Sequence, residues 1–421
     1  MSNQEEKSLN PFDDLARMLN LFPDDIKNMT TDHISDCYVV TNEDETVYLN
    51  FNKLNNFLKT NNVVEIHFIR QGFVLDSSYR GLFKNVTQIN GDVICQNNMS
   101  NMFMDCRRLV SLNGNWDTNA VTNMSCMFRN ATRFNQKLNF NTGSVKNMSS
   151  MFEGARNFNK KLKFDTKSVK NMSAMFKGAQ KFNRKLKFDT KSVKNMSEMF
   201  RNAVRFNHPL NFNTSKVTNM SRMFEGATLF NKQLNFNTAE VTNMSRMFED
   251  ATSFNELLNF QPLNFTTGKV TTMTCMFKGA TSFNKPLNFN TRNVMDMHSM
   301  FKGATSFNKP LNFNTRNVSE MSSMFEGARN FNISLRFNAP SLQFWPDMFK
   351  GARSLDKKIL FKNLNHPRGN ISLTNFTEEQ RGKYVVFTPP TIGSSSEDDD
   401  DSSSEDEGDS SSEESSSEKS D

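Results

Sequence analysis

The sequence predicts an α/β repeat: a solenoid of about eleven 24-residue units with a parallel sheet on one face, an N-terminal cap and a disordered acidic tail. Three observations carry this. Met-Phe recurs at Met102, Met127, Met151, Met175, Met199, Met223, Met247, Met276, Met300, Met324 and Met348, at spacings of 24 residues apart from one of 25 and one of 29. The 421 residues include 41 Phe and 26 Met but only 4 Tyr and 2 Trp, so the apolar residues form a repeated unit rather than a varied core. The net charge of +6 conceals three blocks. Residues 1–98 hold 8 basic and 14 acidic residues, 99–393 hold 42 and 18, and 394–421 hold 1 and 13.

Residues 1–97 do not repeat, as expected of a module that covers the open end of a stack. The apolar spacing at 11–21 suits an amphipathic helix, and alternating stretches at 47–51 and 63–69 predict strands packed as a cap over the first repeat.

One unit recurs through 98–362. In the copy from Val145 to Ala155, Asn147 is placed to cap a helical start. Met148, Met151 and Phe152 share one face at i, i+3 and i+4, and Gly154 can take the left-handed conformation that ends the turn. One or two helical turns are therefore predicted. Across the copies the stop position holds only Gly, Asn or Asp, the residues that best tolerate positive φ, which marks a backbone requirement. Leu162-Lys163-Phe164 then alternates with period two and predicts a short strand with Leu162 and Phe164 turned inward. The fixed Phe-Asn pair, Phe158-Asn159 here, predicts an Asn ladder that satisfies backbone groups at a turn. A single unit cannot bury both faces, whereas stacking aligns the strands and joins Phe, Leu and Met into internal columns. The copy before Met276 carries five extra residues, expected as a bulge on one face.

Residues 363–393 read as a C-terminal cap strand and linker. Residues 394–421 contain no aliphatic or aromatic side chain and are expected to be disordered. Within them Ser396, Ser404 and Ser411 each precede an acidic residue by three positions, a pattern that resembles acidophilic kinase targets and makes them candidate phosphorylation sites.

The unit Val-x-x-Met-x-x-Met-Phe-x-Gly-Ala-x-x-Phe-Asn-x-x-Leu-x-Phe-x-Thr resembles the BspA-like leucine-rich repeats. It is most similar to their Met-Phe-x-Gly-Ala variant in bacterial surface proteins, mycoplasma lipoproteins, protists and some large DNA viruses. The likeness covers about residues 98–361, and Trp116-Asp117-Thr118 matches the Trp-Asp-Thr form common in that family. The resemblance implies a right-handed leucine-rich-repeat solenoid used for binding and adhesion, with no catalytic residues to carry over.

No apolar run approaches the roughly 18 residues of a membrane span, and the first residues lack the pattern of a signal peptide, so an intracellular or viral setting is expected. Cys37, Cys95, Cys106, Cys126 and Cys275 form no Cys-x-x-Cys pair, and the five histidines are isolated. With no phosphate-binding glycine loop or nucleophile elbow, neither catalytic residue, metal nor cofactor is expected.

The surface is more informative. Between the inward Leu and Phe, the solvent-facing position holds Lys163, Lys187, Asn211, Asn235, Asn288, Asn312 and Arg336, and the loop before it adds Lys160, Lys161, Arg184 and Lys185. This polar, basic-flanked sheet face is the candidate binding face. It suits a noncatalytic protein–protein interaction scaffold. The alternative is a binder of nucleic acid or another acidic polymer through the basic repeat body, modulated by the acidic tail. Scattering of the basic residues over several repeat positions, without interleaved aromatics for stacking, favours the first reading.

Overall fold

The computed structural model describes residues 35–258, 267–364 and 385–388. The expected helix at 11–21, the residues inserted after Leu258, and the acidic segment with Ser396, Ser404 and Ser411 lie outside them. The described chain winds into a solenoid of about 13 stacked turns with little helix.

At the N-terminal end β1 (Cys37–Thr41) pairs antiparallel with both β2 (Thr46–Leu49) and β3 (Val63–Phe68). β3 then starts the parallel stacking through β5 (Gln88–Asn90) and β7 (Ser111–Leu112). A second parallel sheet joins β4 (Phe73–Leu75), β6 (Val93–Cys95) and β8 (Trp116–Asp117). The strand expected at 47–51 stops at Leu49, and α1 (Phe51–Thr60) follows it. Phe51, Leu54 and Leu58, at i, i+3 and i+7, present one apolar stripe, and Leu54 and Leu58 are buried. The first amide of α1 is satisfied from outside the helix, since Phe51 N donates to Asp36 Oδ2 at 2.9 Å.

Between the ends the coils stack through parallel bridges that run from Asn98 through Asn123, Asn147, Asn171, Asn195, Asn219 and Asn243 to Phe344. Leu210, Leu234 and Leu258 bridge in the same way. At the far end β9 (Leu335–Asn338), β10 (Ile359–Lys362) and β11 (Val385–Thr388) form a parallel sheet in register.

The Met-Phe segment forms turns where helical turns were expected, although its facing is as predicted, with Met148, Met151 and Phe152 fully buried. The hydrogen bonds give the reason. Met148, Ser150, Phe152 and Gly154 donate their amides to Asn171, Ser173, Met175 and Lys177 of the next coil, at 2.7–3.0 Å. The alternate residues Met151, Glu153 and Ala155 donate to residues three back in their own coil, at 3.1–3.3 Å. A helix would spend every amide inside its own coil. Dividing them lets each turn stitch to its neighbour, at the cost of two left-handed residues per coil. One is the anticipated stop, from Asp105 through Gly154 to Gly351. The other is Ser150 and its equivalents, among them Cys126, Ala174, Glu198 and Arg222, with φ of 53–58°. No glycine marks this second position, so propensity conceals it; each residue there costs about 1–3 kcal/mol, offset by the inter-coil bond its amide makes.

The core is a pair of Phe columns. Phe103, Phe128 and Phe152 begin one that ends at Phe349, with neighbouring centroids 5.5–5.8 Å apart. Phe134 to Phe331 form the other, at 5.9–6.1 Å. Within a coil the two columns stack on each other, as in Phe152 and Phe158 at 4.1 Å. Polar ladders flank them. The side-chain oxygen of Asn159 accepts the amide of Asn183 at 3.0 Å, and the pattern continues from Asn135 to Asp356, which is the anticipated Asn ladder. Buried Thr142, Thr166 and Thr190 donate their hydroxyls to the carbonyls of Asp165, Asp189 and Asn213, each at 2.9 Å. Among the described residues the Thr238 hydroxyl has no partner; it belongs to the coil that precedes the insertion.

Candidate binding surface on the strand side

The two edges of each coil treat charge differently. On the turn edge the residue after Met-Phe mixes both signs along the stack, from Arg129, Glu153, Lys177 and Arg201 to Glu225, Glu249 and Lys278, and its carboxylates are shared. Glu153 lies 3.4 Å from both Arg129 and Lys177. Lys177 reaches Glu198 at 2.8 Å, Glu198 pairs with Arg201 at 3.0 Å, and Arg201 with Glu225 at 2.8 Å. Further along, Glu249, its side chain 6% exposed, is held by Arg246 and Lys278, each at 2.8 Å. Burial alone would raise this carboxyl, but hydrogen bonds from Lys278 and Arg246 outweigh it and hold Glu249 below the usual carboxylate range. The neighbouring Asp250 goes the other way, raised by burial and by the charge on Glu249.

On the strand side the alternation of Leu-x-Phe places Leu162, Phe164, Leu186 and Phe188 inward and exposes Lys163 and Lys187 between them. Asn211, Asn235, Asn288, Asn312 and Arg336 occupy the same position in later coils and are likewise exposed. Lys161, Arg184 and Lys185 are exposed and Lys160 half-buried. Five of these cations, Lys160, Lys161, Arg184, Lys185 and Lys187, line an open groove of about 350 Å³ with Asn159 and His208. No carboxylate lines it, and among the described residues none of the five is in an ion pair within 4 Å. Arg184 is oriented by its Nε, which donates to Asn159 O at 3.0 Å. Asp165 and Asp189 follow Phe164 and Phe188 and are turned to their own loops. The amide of Lys167 donates to Asp165 Oδ1 at 3.2 Å and its ammonium pairs with Oδ2 at 3.1 Å, which holds this carboxyl below its ordinary range.

The groove gathers five cations of two coils and leaves out Lys163, exposed beside it, the Asn-rich positions and Arg336. Residues 145–194 explain this: they hold 14 Lys and Arg against three Asp and Glu, whereas Pro209, Pro286 and Pro310 replace Lys161 and Lys185 in other coils. His208 was not singled out from sequence. The 24-residue register would have found it, since Asn207-His208 stands where Asn159-Lys160 and Asn183-Arg184 stand in the two coils before.

Two other places carry polar groups. A groove of about 850 Å³ runs along the turn corner past Arg107, Asn130, Arg156 and Lys181, but the amides of Gly154 and Gly178 in its wall already donate to the next coil. His298 bridges Ser322 Oγ at 2.8 Å and Ser299 Oγ at 3.2 Å, yet Ser299 is 2% exposed, so its hydroxyl faces no substrate. Burial pushes the thiols of Cys95 and Cys106 up to about 12, away from reactivity. Among the described residues no cluster of three or more His, Cys, Asp or Glu could hold a metal, and no helix is long and apolar enough to cross a membrane.

The chain is similar to the protein in a crystal structure of a TLR13–ssRNA13 complex, at 14% identity over 76% of this chain and 52% of that one, with a TM-score of 0.25. The chain thus spans about half the length of that structure. No curated protein matches it. The family described as Mycoplasma protein of unknown function, DUF285, matches repeatedly, over residues 97–211, 186–262, 210–311 and 258–363. These overlapping matches cover every Met-Phe unit and more than half of the chain, which therefore belongs to the DUF285 family.

Proposed function

We propose that the protein is a noncatalytic interaction scaffold of the BspA-like type, whose strand-side face binds acidic protein segments. Residues 98–362 form the binding solenoid, with 1–97 and 363–393 as its end modules. The groove lined by Lys160, Lys161, Arg184, Lys185 and Lys187 without a carboxylate carries this reading. Like charges repeated at the roughly 4.8 Å spacing of stacked coils repel by about 0.9 kcal/mol per pair in water before screening. An anionic partner reverses that sign. The exposed Asn211, Asn235, Asn288 and Asn312 extend the face with neutral hydrogen-bonding groups, and Arg336 ends it.

The excess of basic residues in 99–393 favours a second reading, binding of nucleic acid or another polyanion. Against it, Phe164, Phe188 and Phe212 beside the face are buried, and among the described residues no Phe, Tyr or Trp ring lines the groove for bases to stack on. Fluorescence anisotropy decides between them. A labelled glutamate-rich peptide should bind more tightly than a single-stranded oligonucleotide of equal charge, and its affinity should fall between about 50 and 200 mM salt. Preferential oligonucleotide binding would install the second reading, and no binding of either probe would remove both.

A further inference from the structure

We infer that the occupant of this groove in the free chain is the chain's own acidic segment, residues 397–421, folded back in cis on Lys160, Lys161, Lys163, Arg184, Lys185 and Lys187. The inference rests on the strand-side reading above and names the partner that reaches the surface first. Charge complementarity is its first support. The segment holds 13 acidic residues against one lysine, and the coils of 145–194 hold the densest unpaired positive charge in the solenoid.

Chain length is its second. β11 fixes Thr388 beside β10 at the C-terminal end of the stack. From there to the coil of Leu186 is eight coil steps of about 4.8 Å, or roughly 40 Å. Glu405 follows Thr388 by 17 residues, which span up to about 55–60 Å when extended, so Glu405 and the acidic residues after it reach the groove with slack. A tether of this length presents those carboxylates at an effective concentration of the order of millimolar, well above that of a free partner.

Two of the cations nearer the tether are already engaged. Lys350 lies 3.5 Å from Asp347, and Lys357 lies 3.5 Å from Asp356. An acidic residue docking there displaces an existing partner, while one docking at Lys161 or Lys185 relieves repulsion. Phosphorylation of Ser404 or Ser411 would add charge to the stretch that reaches the groove and tighten the contact.

The test is carbodiimide cross-linking of the full chain, which joins lysine amines to carboxylates in contact, read by mass spectrometry. The result expected is linkage of residues 405–421 to Lys160, Lys161, Lys163, Lys185 and Lys187 in excess of linkage to Lys350, Lys357, Lys358 and Lys362, within single chains. Links confined to the C-terminal lysines, or hybrid links in a mixture of isotopically light and heavy chains, would overturn docking in cis on this groove. A full-length variant with its 13 tail acids changed to Asn and Gln should bind the glutamate-rich peptide at least about threefold more tightly at low salt. Unchanged affinity in that variant sinks the fold-back even if the peptide still requires the groove lysines. Loss of that requirement sinks the underlying reading instead.

Discussion

Glu153 and Lys163 belong to the same coil and meet opposite surroundings. On the turn edge Glu153 lies between Arg129 and Lys177 of the flanking coils, and the chain of ion pairs continues through Glu198, Arg201 and Glu225. On the strand side the cations of two adjacent coils, Lys160 and Lys161, Arg184 and Lys185, share a groove that no carboxylate lines. A 24-residue repeat stacks each residue on its counterpart, so any charge kept constant between coils becomes a column of like charge. The turn edge escapes by mixing signs, so that its carboxylates pair with cations of the same and flanking coils. The strand side of 145–194 does not, and only a partner outside the solenoid can neutralise it.

The largest effect should come from breaking what both edges share. Phe200→Ala removes a ring stacked on Phe176 at 5.7 Å, Phe206 at 4.1 Å and Phe224 at 5.7 Å, and should cost about 3–5 kcal/mol in chemical denaturation. It should loosen both edges together.

Next come two glycines that distinguish backbone strain from side-chain crowding. Gly178→Ala places a Cβ at φ 67° with nothing closer than 3.6 Å and should cost about 1 kcal/mol. Gly154→Ala has the same φ, but its Cβ would collide with Asn130 Oδ1, which Asn130 Nδ2 helps to fix by donating to Asp105 at 2.9 Å. It should cost measurably more, and equal losses would refute the stop-position packing.

Glu249→Gln tests the paired edge. It leaves Arg246 and Lys278 facing a neutral amide, and because both cations are about one-third exposed the loss should be about 1–2 kcal/mol, below that of a fully buried pair. Acid should act in the same direction. Glu198, Glu249 and Glu326 are held below the ordinary carboxylate range, so their contribution is complete above about pH 5 and disappears as pH falls through the depressed values. Asp250 is raised and opposes this slightly, gaining as it protonates. The melting temperature followed from pH 6 to pH 3 should therefore fall, and should fall less in Glu249→Gln.

The smallest stability effect is expected on the strand side. Changing Lys160, Lys161, Lys163, Lys185 and Lys187 to Gln and Arg184 to Gln removes repulsion rather than attraction, so stability should stay within about 0.5 kcal/mol of the parent or rise. A clear loss would mean that these cations stabilise the fold.

Much of this was legible in the sequence because a repeat reports each structural demand many times. The stop position was readable from its restriction to Gly, Asn and Asp, and the inward facing of Leu162 and Phe164 from their alternation with Lys163, although the strand expected there is not formed. The turn conformation was not, since Met148, Met151 and Phe152 face inward equally well on a helix or on turns. What separates the two is the direction of the amides, and the second left-handed site that this division demands is occupied by Ser150, Ala174 and Arg222, which announce nothing. The basic face was readable position by position. Its condensation into one groove required the coils to be superposed, which also brings in His208.

The central claim, that one edge stabilises and the other binds, is tested most directly by the affinity of two full-length variants for the glutamate-rich peptide at low salt. The strand-side variant, with Lys160, Lys161, Lys163, Arg184, Lys185 and Lys187 changed to Gln, should lose at least about tenfold while remaining folded. Glu249→Gln should bind as the parent does, although less stable. Equal affinity in the strand-side variant and the parent would contradict the account.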